Sequence, residues 1–233
     1  MERLYCIKFH PYAKNLIASG SYDRSIKLWN IETQQAVRTL KGPENVIFSM
    51  SWSPCGTKLA TICKDSVIRI YEPLVSDSPV VEQKCEEGCG PYAGSKAARI
   101  EWVSGGARLL ISGFERGNQR KIYLYDSENL IFLTLEDINQ SPSLMIPYYD
   151  MDTNVLYLYA KGEETVLLFE ILESEPYFQV LTPYKPDGLH FAISFLPKTC
   201  CDVKVAEINR VYRLTKSNCI ERISFTVPRV KVR

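Results

Sequence analysis

An all-β fold, a β-propeller built from small antiparallel sheets, is what this sequence predicts, and two observations predict it. The stretch FHPYAKNLIASGSYDRSIKLWN from Phe9 is repeated in plan by WSPCGTKLATICKDSVIRIYEP from Trp52, so Asp23 recurs as Asp65 and Trp29 as Tyr71, each 42 residues on. Both copies are short β-branched, aromatic or alternating apolar runs cut by turn formers such as Pro11, Asn15 and Asp23, with almost no helical periodicity. A spacing of about 40–45 residues with that content marks one propeller blade of WD40 type.

The units follow in order. The first, 4–42, holds LYCIKFHP, NLIASGS, SIKLWNI and QAVRTLK, and the second, 43–90, repeats it with VIFSMSWSP, KLATICK, VIRIYEP and a weaker VVEQK. The third, 91–135, places Trp102 where Phe9 and Trp52 stood and Tyr125 where Trp29 and Tyr71 stood; its extra residues fall in a longer hairpin tip, FERGNQRK, and in the segment before it. The fourth, 136–184, loses the Asp turn but keeps the period, with Phe169 lying 44 residues after Tyr125. The fifth, 185–233, keeps alternating strands without the landmarks. CDVKVAEINRVYRLT is the best helical candidate, but it carries too many β-branched residues to displace a strand reading. CEEGCGPYAGSKAA at 85–98, flanked by repeats on both sides, reads as a surface insertion.

A blade cannot bury both faces alone and must stack on its neighbours. Trp29, Tyr71, Tyr125 and Phe169, each ending a third strand, are therefore expected to wedge between sheets, with Trp102 as a further blade residue. Asp23 and Asp65 are expected to accept backbone N–H bonds in matched hairpin turns, a structural role that outweighs catalysis. Hydrophobic content of 45%, charged content of 24% and a net charge of +1 describe a globular chain with no basic footprint for nucleic acid. No apolar run reaches the roughly 18–20 residues of a membrane-spanning helix.

Chemistry is sparse. Of the two histidines, His10 lies in a turn and His190 opens a strand with no nucleophile or carboxylate constellation beside it. The eight cysteines are irregularly spaced and read as reduced structural thiols; Cys85-x-x-x-Cys89 has no second pair to complete a zinc site. Catalytic residues, metal and cofactor are accordingly not expected. The weak candidates for partner contact are the mixed-charge loop with Arg116, Arg120 and Lys121, and the basic end with Arg229, Lys231 and Arg233, where an acidic protein surface or a phosphoinositide would bind.

Family-specific motifs lie in the last hundred residues: Pro147–Asp150 with Asp152-Thr153 and Lys161-Gly162, the Leu196-Pro197-Lys198 turn, Cys201-Asp202-Val203 with Glu207-Ile208, and Val227-Pro228-Arg229. These closely resemble the late blades and closing segment of coronins, and residues 4–73 resemble their middle WD repeats. SYDRSIKLW, ARIEWV and FLPKT resemble the second propeller of the long, tandem-propeller coronin associated with the Golgi and with actin regulation.

The resemblance implies a seven-bladed ring of which this chain supplies about five blades, an incomplete propeller lacking two N-terminal blades and the strand that closes the ring. It implies a non-catalytic scaffold that binds actin or actin regulators and acts in actin organisation and Golgi-to-endosome trafficking, in the cytoplasm and peripherally at the Golgi. The first-blade basic site that short coronins use for actin matches no residue here, and no heptad repeat supports a coiled-coil oligomer. A ubiquitin-ligase adaptor or general assembly platform is the alternative.

Overall fold

The structure, a computed structural model, describes residues 3–91 and 96–227. Its strands form five separate antiparallel sheets in chain order. Sheet 1 is β1 (Leu4–Phe9), β2 (Leu16–Ser21), β3 (Ile26–Asn30) and β4 (Gln35–Leu40). Sheet 2 is β5 (Ile47–Trp52), β6 (Leu59–Cys63), β7 (Val67–Tyr71) and β8 (Val81–Lys84). Sheet 3 is β9 (Arg99–Val103), β10 (Arg108–Phe114), β11 (Gln119–Asp126) and β12 (Phe132–Gln140). Sheet 4 is β13 (Met145–Asp150), β14 (Val155–Ala160), β15 (Val166–Ile171) and β16 (Phe178–Tyr184). Sheet 5 has three strands, β17 (His190–Phe195), β18 (Glu207–Thr215) and β19 (Ile220–Thr226). Each four-stranded sheet is a consecutive meander, so it is a blade in the propeller sense.

Burial explains why these strands read as they do. β5 and β6 are buried along their whole length, β5 facing a neighbour on either side, and their sequences run apolar or small without alternation. The outer strand β8 is mostly exposed and reads polar, whereas β19 is mostly exposed but turns Ile223 and Phe225 onto the cluster between sheets 4 and 5. Four clusters fill the gaps between consecutive sheets. Leu28 and Leu40 meet Met50 and Tyr71; Ile62 and Ile70 meet Trp102 and Tyr125; Leu110 and Leu124 meet Tyr149 and Phe169; Tyr157 and Tyr159 meet Ile193 and Val211. None of these clusters joins sheet 5 to sheet 1 among the described residues.

The alternation of the strands fixes a direction of stacking. On β7, Ile68 and Ile70 face sheet 3 while Tyr71 faces sheet 1; on β11, Ile122 and Leu124 face sheet 4 while Tyr125 faces sheet 2. Sheets 2, 3 and 4 thus each lean their third-strand aromatic, Tyr71, Tyr125 or Phe169, on the sheet before.

Several expectations are corrected here. β12 continues to Gln140, past the unit boundary placed at 135. In CDVKVAEINRVYRLT only the part from Glu207 is strand, and Val203–Val205 is a single 3-10 turn capped by Asp202, whose Oδ1 accepts from Lys204 N. The 85–98 segment is not wholly at the surface, although Tyr92–Ser95 fall outside the described residues: Gly90 and Pro91 are buried. A Cβ on Gly90 would stand 2.5 Å from Cys85 Cβ, and one on Gly113 would stand 2.6 Å from Pro91 Cγ, so both glycines are needed for the segment to lie against sheet 3.

Candidate functional site

The repeat residues behave as structure. Asp23 Oδ1 accepts from Ser25 N at 2.9 Å and Ser25 Oγ at 2.6 Å, and these bonds hold its carboxyl below the usual range. Asp65 Oδ1 accepts from Val67 N at 3.0 Å, and its Oδ2 takes both terminal nitrogens of Arg69 at 3.2 Å. Tyr71 donates to Lys41 O at 2.9 Å, Trp102 Nε1 to Ser51 O at 2.9 Å, and Tyr125 to Cys89 O. Each of these three bonds ties an inter-sheet ring to backbone outside its own sheet.

Trp29 departs from the expected wedge. It is half-buried, with Nε1 donating to Ser19 Oγ at 2.8 Å and Lys27 Nζ 5.8 Å from its ring centre. The reason is directional: the aromatic faces the preceding sheet, and no described sheet precedes sheet 1. The same face of β1 shows it in a row. Phe9 is 73% exposed where its counterparts Trp52 and Trp102 are 9% and 4% exposed.

The partner candidates also separate. Arg116 is 76% exposed on its side chain and lies 3.4 Å from Glu87. Arg120 is not on the solvated loop at all: it is 1% exposed and pairs with both carboxylate oxygens of Glu163, at 2.8 and 3.2 Å. Its Nε donates to Asn139 Oδ1 at 2.7 Å and its Nη1 to Ser143 O at 3.0 Å. Lys121 is held between Glu115 and Asp137 at 3.7 and 3.3 Å. Placement on strand β11, whose residues alternate between faces, turns Arg120 inward. Arg229, Lys231 and Arg233 lie outside the described residues.

Two polar clusters escaped the sequence reading. Asp150, buried at the end of β13, accepts from Lys198 Nζ at 2.5 Å, Thr153 Oγ1 at 2.7 Å and Asn209 Nδ2 at 2.8 Å, and Asn209 also donates to the Tyr157 hydroxyl at 3.0 Å. The cluster fastens sheet 5 to sheet 4. Burial pushes the Asp150 carboxyl up, but Lys198, Thr153 and Asn209 outweigh it and hold the group below its ordinary value.

The second cluster surrounds His190. The ring is fully buried, neither nitrogen has a partner, and Tyr159 stands edge-on at 5.9 Å. Burial first, then the Arg213 guanidinium, pushes its pKa below the ordinary histidine value, against the pull of Glu163. The unfolded chain therefore binds this proton more readily than the folded one below about pH 6.5, so stability falls as pH drops through that region. A urea midpoint at pH 5.5 lower than at pH 7.5, with the gap narrowed in His190→Phe, is the expected result.

The first strands of four sheets, β1, β5, β9 and β13, meet at a 170 Å³ cavity bounded by Tyr5, Lys8, Phe48, Arg99, Glu101 and Pro147. Glu101 accepts from Ser51 Oγ at 3.0 Å with Lys8 Nζ 3.8 Å away; burial raises its carboxyl, and Lys8 opposes that. All eight cysteines are free thiols, and exposed Cys55 is lowered to about 7 by hydrogen bonds from Ser53 and Thr57. Among the described residues, no three His, Cys, Asp or Glu side chains converge as metal ligands, and no helix is long and apolar enough to cross a membrane.

Known proteins resemble this chain in sequence and in fold. The WD domain, G-beta repeat model matches residues 2–30 and 34–72. Coronin-7 of Homo sapiens is 38% identical over 232 residues, 99% of this chain and 24% of that protein. Coronin-2A of Homo sapiens is 33% identical over 235 residues, 98% of this chain and 43% of that protein. The chain therefore spans about a quarter of the first relative and under half of the second. The crystal structure of the WD40 domain from Toxoplasma gondii coronin superposes with a TM-score of 0.86 at 24% identity, covering 98% of this chain and 57% of that one. A chain of a mitotic checkpoint complex structure, at 13% identity and a TM-score of 0.68, shares the fold alone. With similarity running over nearly its whole length, the chain belongs to the coronin family of WD-repeat proteins.

Proposed function

We propose that this chain is a non-catalytic coronin-type scaffold that binds components of the actin cytoskeleton and acts in actin organisation and Golgi-to-endosome transport. It would work in the cytoplasm and peripherally at the Golgi. Coronin similarity over 98–99% of its length is the observation that carries the reading. The disposition of its polar residues agrees: Asp23 and Asp65 are spent on turns, Arg120 on Glu163, and Asp150 on a joint between sheets. His10 is likewise committed, its Nε2 hydrogen-bonded to Gly56 O at 2.9 Å and its Nδ1 accepting from Ala13 N at 2.8 Å.

The same proposal includes an incomplete ring, five blades of a seven-bladed propeller. Two features support it: the exposed row of Ile7, Phe9 and half-buried Trp29, which is covered in later sheets, and the coverage of only 57% of the Toxoplasma coronin domain. The open faces are where further sheets would pack.

Co-sedimentation tests the actin arm. The chain is expected in the pellet with filamentous actin and in the supernatant without it, and co-localisation with a Golgi marker is expected in cells. Retention of neither actin nor trafficking components would remove this function.

A further inference from the structure

The turns of the five sheets emerge on two opposite faces that differ in kind. Turns joining first to second and third to fourth strands expose large apolar side chains all round the arc: Tyr12, Ile31, Leu74, Val75, Ile131 and Met151. Their exposed acids are Glu32, Glu128, Asp152, Glu173, Glu175 and Asp202, against exposed Lys14 and Lys204. In the turns of the other face, Tyr22 is the one such apolar side chain exposed among the described residues. There Arg24, Lys41, Lys64, Lys161, Lys185 and Lys216 outnumber Asp23, Glu44 and Asp187, with Lys96 and Arg116 beside Glu86 and Glu87. A chain of net charge +1 is thus divided into a basic face and an acidic, apolar one.

The acidic face also holds a socket. Between sheets 1 and 2, a cavity of 360 Å³ is lined by Leu16, Leu28, Val37, Trp52 and Leu74, with Arg38 at its side. Arg38 pairs with Asp77 at 3.1 Å, so the lining carries no free cation from it. The Trp52 indole N–H has no acceptor, and Leu74, 87% exposed, overhangs the cavity edge. An apolar side chain entering here would be desolvated on several sides by Leu16, Leu28, Val37 and Trp52. Such an anchor in a pocket, on a face whose charge sets orientation and encounter rate, is the anatomy of a protein docking site.

We propose that this face docks a basic, amphipathic segment of a protein partner: an apolar residue seats in the Trp52–Leu74 cavity, and its lysines or arginines lie over the acids of sheets 3 and 4. The inference rests on the scaffold reading and adds a face and a partner chemistry to it. Charge decides between occupants, since the acids repel an anionic lipid surface and the cations needed to hold an acidic peptide lie on the other side.

The test uses the full chain and a fluorescein-labelled amphipathic peptide of leucine and lysine, with a leucine–glutamate peptide as its counterpart, read by anisotropy. The lysine peptide should bind, and the glutamate peptide should not. Leu74→Ser and the pair Glu173→Lys/Glu175→Lys should each weaken binding by about tenfold, and raising salt should weaken it further. Lys64→Glu/Lys216→Glu on the opposite face should leave it unchanged, and melting curves of all variants should match the parent. Equal binding of both peptides, no effect of Leu74→Ser, or loss in the opposite-face pair overturns the proposal. So does capture of phosphatidylserine vesicles, or concentration-dependent self-association, that Leu74→Ser abolishes. If Leu74→Ser still co-sediments with actin while peptide binding fails, the scaffold reading stands and this face is removed from it.

Discussion

Tyr71→Ala is expected to melt about 10 °C below the parent protein, while Trp29→Ala at the matched position of the preceding repeat loses only a few degrees. Tyr71 is completely buried between sheets 1 and 2 and donates its hydroxyl to Lys41 O. Removing it leaves a cavity bounded on both sides and an unanswered carbonyl, a loss of about 3–5 kcal/mol. Trp29 is half-buried with its ring toward an open face, so truncation forfeits the bond to Ser19 and part of the contact, about 1–2 kcal/mol. Urea unfolding of the two variants measures the difference. Equal losses would mean that the two rings do not sit in the environments described.

Asp150→Ala is expected to cost about 3–5 kcal/mol, comparable to the loss of a core aromatic. The carboxylate is the common acceptor for Lys198, Thr153 and Asn209, so its removal leaves a buried amide donor short of a partner and the Lys198 ammonium with only the exposed Asp152 carboxylate, 3.9 Å away. Asp150→Asn, which keeps the shape, should lose less. Because the folded carboxyl lies below its ordinary value, its contribution is present above about pH 4 and is lost as pH falls through the lower folded value. Thermal melts of both variants at pH 7 and pH 3.5 check this: the gap between parent and Asp150→Ala should narrow in acid.

The fold was legible because its signals are local and repeated. A 42-residue offset between two copies, turn aspartates and alternating apolar runs need no knowledge of distant contacts. Even the divergent fourth sheet kept its aromatic, Phe169, on the face that packs on sheet 3. The polar joints were not legible for the opposite reason. Arg120 meets Glu163 across 43 residues, and Asp150 meets Asn209 across 59, pairings that no spacing in the sequence announces. Lys198 and Asp150 both stand in the family-specific motifs of the last hundred residues, yet nothing local says that they touch. Arg120 looked like a loop residue because charge is a good guide to exposure only when no buried partner exists. The exposure of Trp29 depends on what lies before sheet 1, which the repeat pattern leaves open.

Native-state amide hydrogen exchange, resolved strand by strand, tests most directly the claim that each sheet leans on its predecessor and that the two end sheets present open faces. The amides of β6, β10 and β14 are expected to exchange only through global unfolding. β1 and β19, with one side uncovered, should open earlier and at lower free energy. Protection in β1 and β19 equal to that in β6 and β10 would contradict it.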